Sequence, residues 1–163
     1  MVGGSPTPAM AVDMTMRRQF WDQTTRQRRD CEVRVSAVGP DAVLEVSIEG
    51  EGFRTFRGYD FEDALQAARA DFESLGRLLL VNRFRQDAFV SPMSRQMSNG
   101  LSCYLVEPRR SVDPSKLVNC LDPTDERSVV TEAEAREFIA RWQSQPPWGV
   151  RFPWLGWFKG GRD

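Results

Sequence analysis

Two adjacent stretches of this sequence alternate between apolar and polar residues with a period of two, and no other feature constrains the fold as strongly. The apolar positions are Cys31, Val33, Val35 and Ala37 in the first stretch and Leu44, Val46 and Ile48 in the second. This period is typical of strands that bury one face and leave the other in water. A Gly39-Pro40-Asp41 turn separates the stretches, and residues 53–57 follow a second turn at 50–52. We therefore predict an antiparallel meander of three strands.

A helix is predicted to follow the meander. Asp60 can cap the free N–H groups of its first turn, and Gly76 provides a stop signal at its end. Between them, apolar residues recur at helical spacing, at Phe61, Ala64, Leu65, Ala68, Phe72 and Leu75. Because these positions share one face, the helix is expected to lie across the meander.

The second half of the chain again has strand patterns followed by a helix pattern. Further strands are predicted at residues 78–81, 101–105 and 117–121. A second helix is predicted to begin after Thr131, where Glu134 completes a capping box. The predicted fold class is therefore α+β, with a mainly antiparallel sheet, two helices packed on one face, and a short helix in the long polar loop.

The chain of 163 residues is long enough for one domain with its own core. We predict a single α+β domain over residues 20–145, a disordered leader over 1–19 and a Trp-rich C-terminal tail over 146–163. The leader is small and polar, and it lacks the apolar run of a secretory signal. The chain also has no run of the ~18–20 apolar residues that a membrane-spanning helix needs.

The three cysteines indicate a reducing compartment. Cys31, Cys103 and Cys120 are isolated, odd in number and outside any CxxC spacing. They are expected to be buried free thiols. Together with the absence of a secretory signal, this favours a cytoplasmic location.

Composition limits the chemistry that the chain can perform. It contains no histidine, which removes Ser-His and Cys-His nucleophile pairs and histidine metal sites. Its net charge of -1 gives no basic field, so nucleic-acid binding is not expected. No cofactor, metal or catalytic residue is predicted. An enzyme would need Asp87 or a glutamate as base beside an arginine, so a binding protein is favoured.

The polar segment 82–100 is the strongest candidate site, because it is longer than an ordinary connection. Ser91 suits a helix N-cap, Pro92 suits the first helical position, and Asn99-Gly100 suits the stop. A short helix is therefore predicted over residues 92–98. Its two methionines, at positions 93 and 97, are expected to face the core, leaving Ser94 and Arg95 near the rim.

Two interpretations of this loop stay open. In the first, Arg83, Arg85 and Arg95 converge on an anion or an acidic partner, with Asp87 and Ser91 fixing the geometry. In the second, the loop is structural and its arginines are solvated or paired with nearby carboxylates. Residues Arg83, Arg85, Asp87, Ser91, Ser94 and Arg95 are the candidate binding residues of the loop.

Part of this region resembles a group of small uncharacterised bacterial proteins. They share a Ser-x-Met-x-Arg-x-Met-x-x-Gly-x-x-x-Tyr pattern, which here runs from Ser91 to Tyr104. The resemblance covers roughly residues 70–107. It implies no activity, because none is assigned to the group.

The tail adds a second candidate surface through Trp148, Trp154 and Trp157. Such aromatic residues either fold back over the domain or anchor a partner, and a membrane-surface role has less support because the tail carries few charges. The favoured function is a small cytosolic binding protein, of immunity or accessory type, that docks on a protein partner through the Arg/Ser loop and the aromatic tail. The alternative is a small anionic-ligand-binding domain or an enzyme using the same arginines.

Overall fold

The computed structural model describes residues 13–145, which form two antiparallel sheets and three α-helices. The larger sheet has five strands, curls into a half-barrel and has the order β4-β3-β2-β1-β5. Its strands are β1 (Met14–Asp22), β2 (Gln27–Val38), β3 (Asp41–Ile48), β4 (Gly52–Gly58) and β5 (Arg77–Leu79). The predicted meander corresponds to β2, β3 and β4, with Val35 opposite Leu44 and Leu44 opposite Phe56.

The main core lies between this sheet and helix α1 (Phe61–Ser74). Asp60 caps α1 as predicted, since its side chain accepts from the Asp63 N–H. The helix buries its predicted apolar stripe from Phe61 to Phe72 against inward-facing residues of the sheet. Leu75, predicted as the last member of the stripe, follows the helix and is 41% exposed. The helix contacts β4 and β5, which form the two edges of the sheet, so it connects them across the covered face.

The remaining strands form a separate sheet with the order β6-β7-β8. These strands are β6 (Ala88–Phe89), β7 (Ser102–Leu105) and β8 (Leu117–Asn119). Helix α2 (Pro92–Ser98) joins β6 to β7, as the predicted short helix. Helix α3 (Glu132–Ser144) begins at the predicted capping box and packs against β6, where Trp142 lies 5.0 Å from the ring of Phe89.

The prediction of one sheet with two helices on one face is therefore wrong, although the composition remains α+β. The chain has two sheets, and α3 covers the smaller one. Residues beyond β8 pair with the chain just after β5, where Thr124 N–H donates to Leu80 O and Val81 bridges Pro123. The later strands pair with one another in the smaller sheet and do not extend the larger one. Periodicity shows which faces of a strand are buried, but not which strand it pairs with.

The prediction of a disordered leader over 1–19 is wrong at its end, because β1 begins at Met14 and pairs along its whole length with β2. Two of the more buried positions of β1, Arg18 and Asp22, are polar, so the sequence of this strand does not alternate clearly between apolar and polar residues. Arg18 Nε donates to Leu121 O (2.5 Å), and Asp22 accepts from the N–H groups of the following turn. The rest of that leader and the tail 146–163 lie outside the described residues.

Within 13–145, no helix is both long and apolar enough to cross a membrane.

Candidate functional site

A cleft of about 610 Å³ lies where α1, β6, α2 and α3 meet. The predicted binding residues that line it are Arg83, Ser91 and Arg95. Its walls also include apolar residues of β6 and α3, such as Phe89 and Ile139. The cleft thus adjoins the predicted loop, but only three of the six candidate binding residues of that loop line it.

Arg83 forms a nearly buried ion pair with Glu62 at the base of the cleft. Its guanidinium donates from Nε and Nη2 to the two carboxylate oxygens of Glu62, at 2.7 and 2.5 Å. Both side chains are nearly buried. Burial alone would lower the pKa of Arg83, but the hydrogen bonds and charge of Glu62 raise it above its usual value. The donors of Arg83 that would hold an anion are therefore already occupied on this side.

Arg85 and Asp87 form a second pair, and neither residue lines the cleft. Arg85 donates to both carboxylate oxygens of Asp87, at 2.8 and 3.0 Å, and to Thr124 Oγ1 at 3.1 Å. The hydrogen bonds to Asp87 raise the pKa of Arg85. Since the backbone of Arg85 also bridges Val129, this pair fastens the loop to the segment that follows β8.

Arg95 joins α2 to the first turn of α1. It donates to both oxygens of Asp60, at 2.5 and 3.0 Å, and to Asp63 at 2.8 Å. Its side chain remains 39% exposed, against 14% for Arg83. Burial of Asp60 would raise its pKa, but the bonds from Arg95 and from the Asp63 N–H hold that pKa below the usual 3.8.

The two candidate serines serve the helix itself. Ser91 Oγ accepts from the Ser94 N–H at 3.0 Å, while Ser94 Oγ accepts from the Ser91 N–H at 3.1 Å. This reciprocal capping box provides acceptors for the N–H groups of Ser91 and Ser94 at the start of α2. It also places Ser94 inside the protein, where it is buried.

The expected orientation of α2 is reversed. Met93 is 68% exposed and Met97 is 81% exposed, whereas Ser94 is buried and Arg95 turns toward α1. Residues advance by about 100° along a helix, so fixing Ser94 and Arg95 inward leaves positions 93 and 97 outward. The capping box and the Asp60 ion pair decide the orientation, and hydrophobicity alone does not.

The C-terminal end of α2 is also fixed to α1. The Phe61 N–H donates to Asn99 O at 2.9 Å, and Asn99 adopts a left-handed conformation with φ 54°. Gly100 follows with φ 85°, and a Cβ there would lie 2.4 Å from Glu62 N. The middle and the C-terminal end of this short helix are therefore held against the first turn of α1.

Sequence reasoning missed the acidic partners and one buried cation. Arg69 is only 3% exposed, donates to Val130 O at 2.7 Å and lies over the Phe84 ring at 4.9 Å. Burial lowers its pKa. The helical spacing could have revealed it, because Arg69 lies four residues after Leu65 within the buried stripe. Glu62 lies three residues before Leu65 on the same side.

The cleft does not form an open anion site. Around it, Arg69, Arg83, Arg95 and Arg136 each pair with a carboxylate. The buried side-chain atom without a partner among residues 13–145 is Gln66 Oε1, and Gln66 lines the cleft. That atom is an acceptor, which disfavours an anionic occupant. Within the same residues, no group of three or more metal-ligating side chains comes together.

The remaining candidates, Trp148, Trp154 and Trp157, lie outside the described residues. The chain matches no protein-family model and no curated protein sequence. The resemblance of the Ser91–Tyr104 segment to a bacterial group therefore stays a prediction.

Replacing Asp60 with asparagine tests the link between α2 and α1. Asparagine still caps a helix, but it loses the charge that holds Arg95. Because the folded-state pKa of Asp60 is lowered, its stabilising effect is full above the unfolded pKa near 3.8 and is lost as the pH falls through the lower folded value. We expect Asp60→Asn to cost about 1 kcal/mol near neutral pH, since the half-exposed Arg95 is screened. The variant should lose less stability than the wild type on acidification.

Urea unfolding of both proteins at neutral pH and well below the usual carboxyl pKa measures this difference. Asp71→Asn is the control. Asp71 lies on another part of α1 and pairs with the exposed Arg54 of β4. Equal acid sensitivity of the wild type and Asp60→Asn would show that this ion pair does not hold the helix.

Proposed function

We propose that this chain is a small protein-binding module that docks on a protein partner through the outer face of α2. This docking face consists of Met93 and Met97. The observation that carries the proposal is the exposure of both methionines, 68% and 81%, on a helix whose other sides are anchored. In this proposal the module acts in the cytoplasm, where its buried thiols stay reduced.

The chemistry of the docking face supports a protein partner. Methionine and arginine are enriched at protein interfaces, and methionine adapts to partner surfaces because it is unbranched and polarisable. Arg83, Arg85 and Arg95 are paired with carboxylates of this chain and serve the fold. The partner surface would therefore be apolar.

The contacts that hold α2 in place support the same proposal. The capping box, the Arg95 ion pairs and the Asn99 carbonyl hold the helix at both ends before any partner arrives. A preorganised surface loses less entropy on binding than a mobile loop. An immunity-type or accessory protein that covers its partner is the concrete form of this proposal. The anionic-ligand alternative has less support, because the cleft arginines are already paired.

The test compares capture of a partner by matched variants. The tagged full chain is expressed in the cells from which the sequence comes, purified gently and examined by native mass spectrometry. A co-purifying protein should bind the Met93→Ser/Met97→Ser variant about tenfold or more weakly, since buried interface side chains contribute about 1–2 kcal/mol each.

Gln96→Ser is the matched control, because Gln96 is exposed on the same helix but ends in a polar amide instead of an apolar thioether. It should bind as the wild type does. Both variants should keep the wild-type melting temperature, since they alter exposed side chains. Equal affinity of the methionine double variant and the Gln96→Ser control would refute the proposal.

A further inference from the structure

The outer edge of β4 is the longest open strand edge among residues 13–145. β4 pairs with β3 on one side, and no other described strand lies beside it. The opposite edge of the large sheet, β5, has only three residues. A seven-residue edge with free N–H and C=O groups is a template for another strand.

This edge has little of the usual protection against strand addition. Proteins block such edges with proline, lysine, bulges or inward-pointing charges. β4 contains no proline or lysine, and its one inward-pointing charge, Arg54, is paired with Asp71 of α1 at 2.6 Å. Phe53 adds an apolar side chain that is 70% exposed. The edge is therefore both unpaired and attractive to an apolar partner.

We infer that β4 pairs with β4 of a second copy of this chain, antiparallel and centred on Thr55. A two-fold axis perpendicular to the sheet at Thr55 pairs all seven residues, Gly52 through Gly58, with their mates. It sets each Phe53 opposite Arg57 of the other copy, and each Arg54 opposite Phe56. The two half-barrels then form one sheet of about ten strands.

The side chains of β4 are complementary to themselves in this register. Phe53, Thr55 and Arg57 alternate with Arg54 and Phe56, so each set shares one face of the sheet. Directly opposed aromatic and arginine side chains attract through the ring face, and Thr–Thr pairs are favourable. A centre at Arg54 would oppose two like charges, and a centre at Phe56 would leave part of the strand unpaired. The Thr55 register is therefore favoured.

Charge variants at Phe53 test the register without disturbing the fold. Phe53→Arg would set like charges against Arg57 of the other copy at both symmetric positions, whereas Phe53→Glu would set opposite charges there. Sedimentation of the wild type over a dilution series should show masses rising from 18.6 kDa towards twice that value. Phe53→Arg should raise the dimer dissociation constant about tenfold or more, and Phe53→Glu should keep it near the wild type or lower it.

A cysteine crosslink supplies a second readout that does not depend on affinity. Thr55→Cys lies at the proposed axis and should form an intermolecular disulfide under mild oxidation by molecular oxygen with a copper catalyst. Two thiols lose two protons and two electrons to the oxygen in this step. Ser47→Cys is the control, since Ser47 is exposed on β3, one strand from the edge. The native cysteines are buried and should not react.

Three results would overturn the inference. The wild type could remain a monomer at every concentration, Phe53→Arg and Phe53→Glu could associate equally, or Thr55→Cys could crosslink no better than Ser47→Cys. The inference is independent of the proposed function, because β4 and the docking face of α2 share no residue. The Met93→Ser/Met97→Ser variant should therefore have the wild-type dimer dissociation constant even if it no longer binds the partner.

Discussion

Replacing Arg83 with methionine is expected to lower the free energy of unfolding by about 3–5 kcal/mol, the usual cost of removing one partner from a buried ion pair. The variant leaves the carboxylate of Glu62 nearly buried and without its cationic partner. Glu62 would keep a hydrogen bond from Gln66 Nε2 at 3.0 Å, but would lose both bonds from the guanidinium. Urea unfolding monitored by circular dichroism measures the change.

Two further variants separate the ion pair from the general effect of losing an arginine. Arg85→Met removes a loop arginine whose pair with Asp87 is more exposed, and it should cost about 1 kcal/mol. Glu62→Gln combined with Arg83→Met removes the unpaired charge, so the double variant should recover a large part of the lost stability. If Arg83→Met were no more harmful than Arg85→Met, the pair would not be an important element of the fold.

The sequence predicted the elements that depend on local chemistry. The Asp60 cap, the Thr131–Glu134 capping box and the Ser91 cap of α2 are all present, because each involves groups within three residues of one another. The meander was also recognised, since its strands are neighbours along the chain. These features need no information about distant parts of the fold.

The arrangement of the sheets could not be predicted in the same way. The strand at residues 102–105 has a clear period of two, but that period is the same in either sheet. Its partners are β6 and β8, and no local feature of the strand identifies them. β1 was missed because Arg18 and Asp22 occupy two of its more buried positions, and each is satisfied by a backbone group elsewhere.

In the candidate loop, too, contacts between neighbouring residues could be predicted and contacts between distant residues could not. Its arginines are paired with carboxylates, and the Arg85–Asp87 pair is close enough in sequence to be anticipated. The partners of Arg83 and Arg95 lie more than 20 residues away on α1, so no local pattern identified them. Those distant pairs also reversed the expected orientation of Met93 and Met97. The docking face of α2 thus follows from tertiary contacts that sequence periodicity does not encode.

Substituting alanine at Gly100 is expected to destabilise the protein by about 2–5 kcal/mol, which combines about 1–2 kcal/mol for a left-handed backbone with the cost of an overpacked contact. Gly100 has φ 85°, and the new Cβ would lie 2.4 Å from Glu62 N and 3.1 Å from Glu62 Cβ. The nearest atom belongs to the backbone of α1, so it cannot move aside as a flexible side chain could. Thermal unfolding followed by calorimetry measures the loss.

Gly50→Ala is the matched control for backbone strain. Gly50 has a similar φ of 79°, but a Cβ there would meet nothing within 4 Å. It should cost only about 1–2 kcal/mol, the part due to the backbone. The difference between the two variants therefore measures how closely α2 approaches α1. If both variants lost the same stability, that contact would not fix α2, and the preorganisation argument for its docking face would lose its main support.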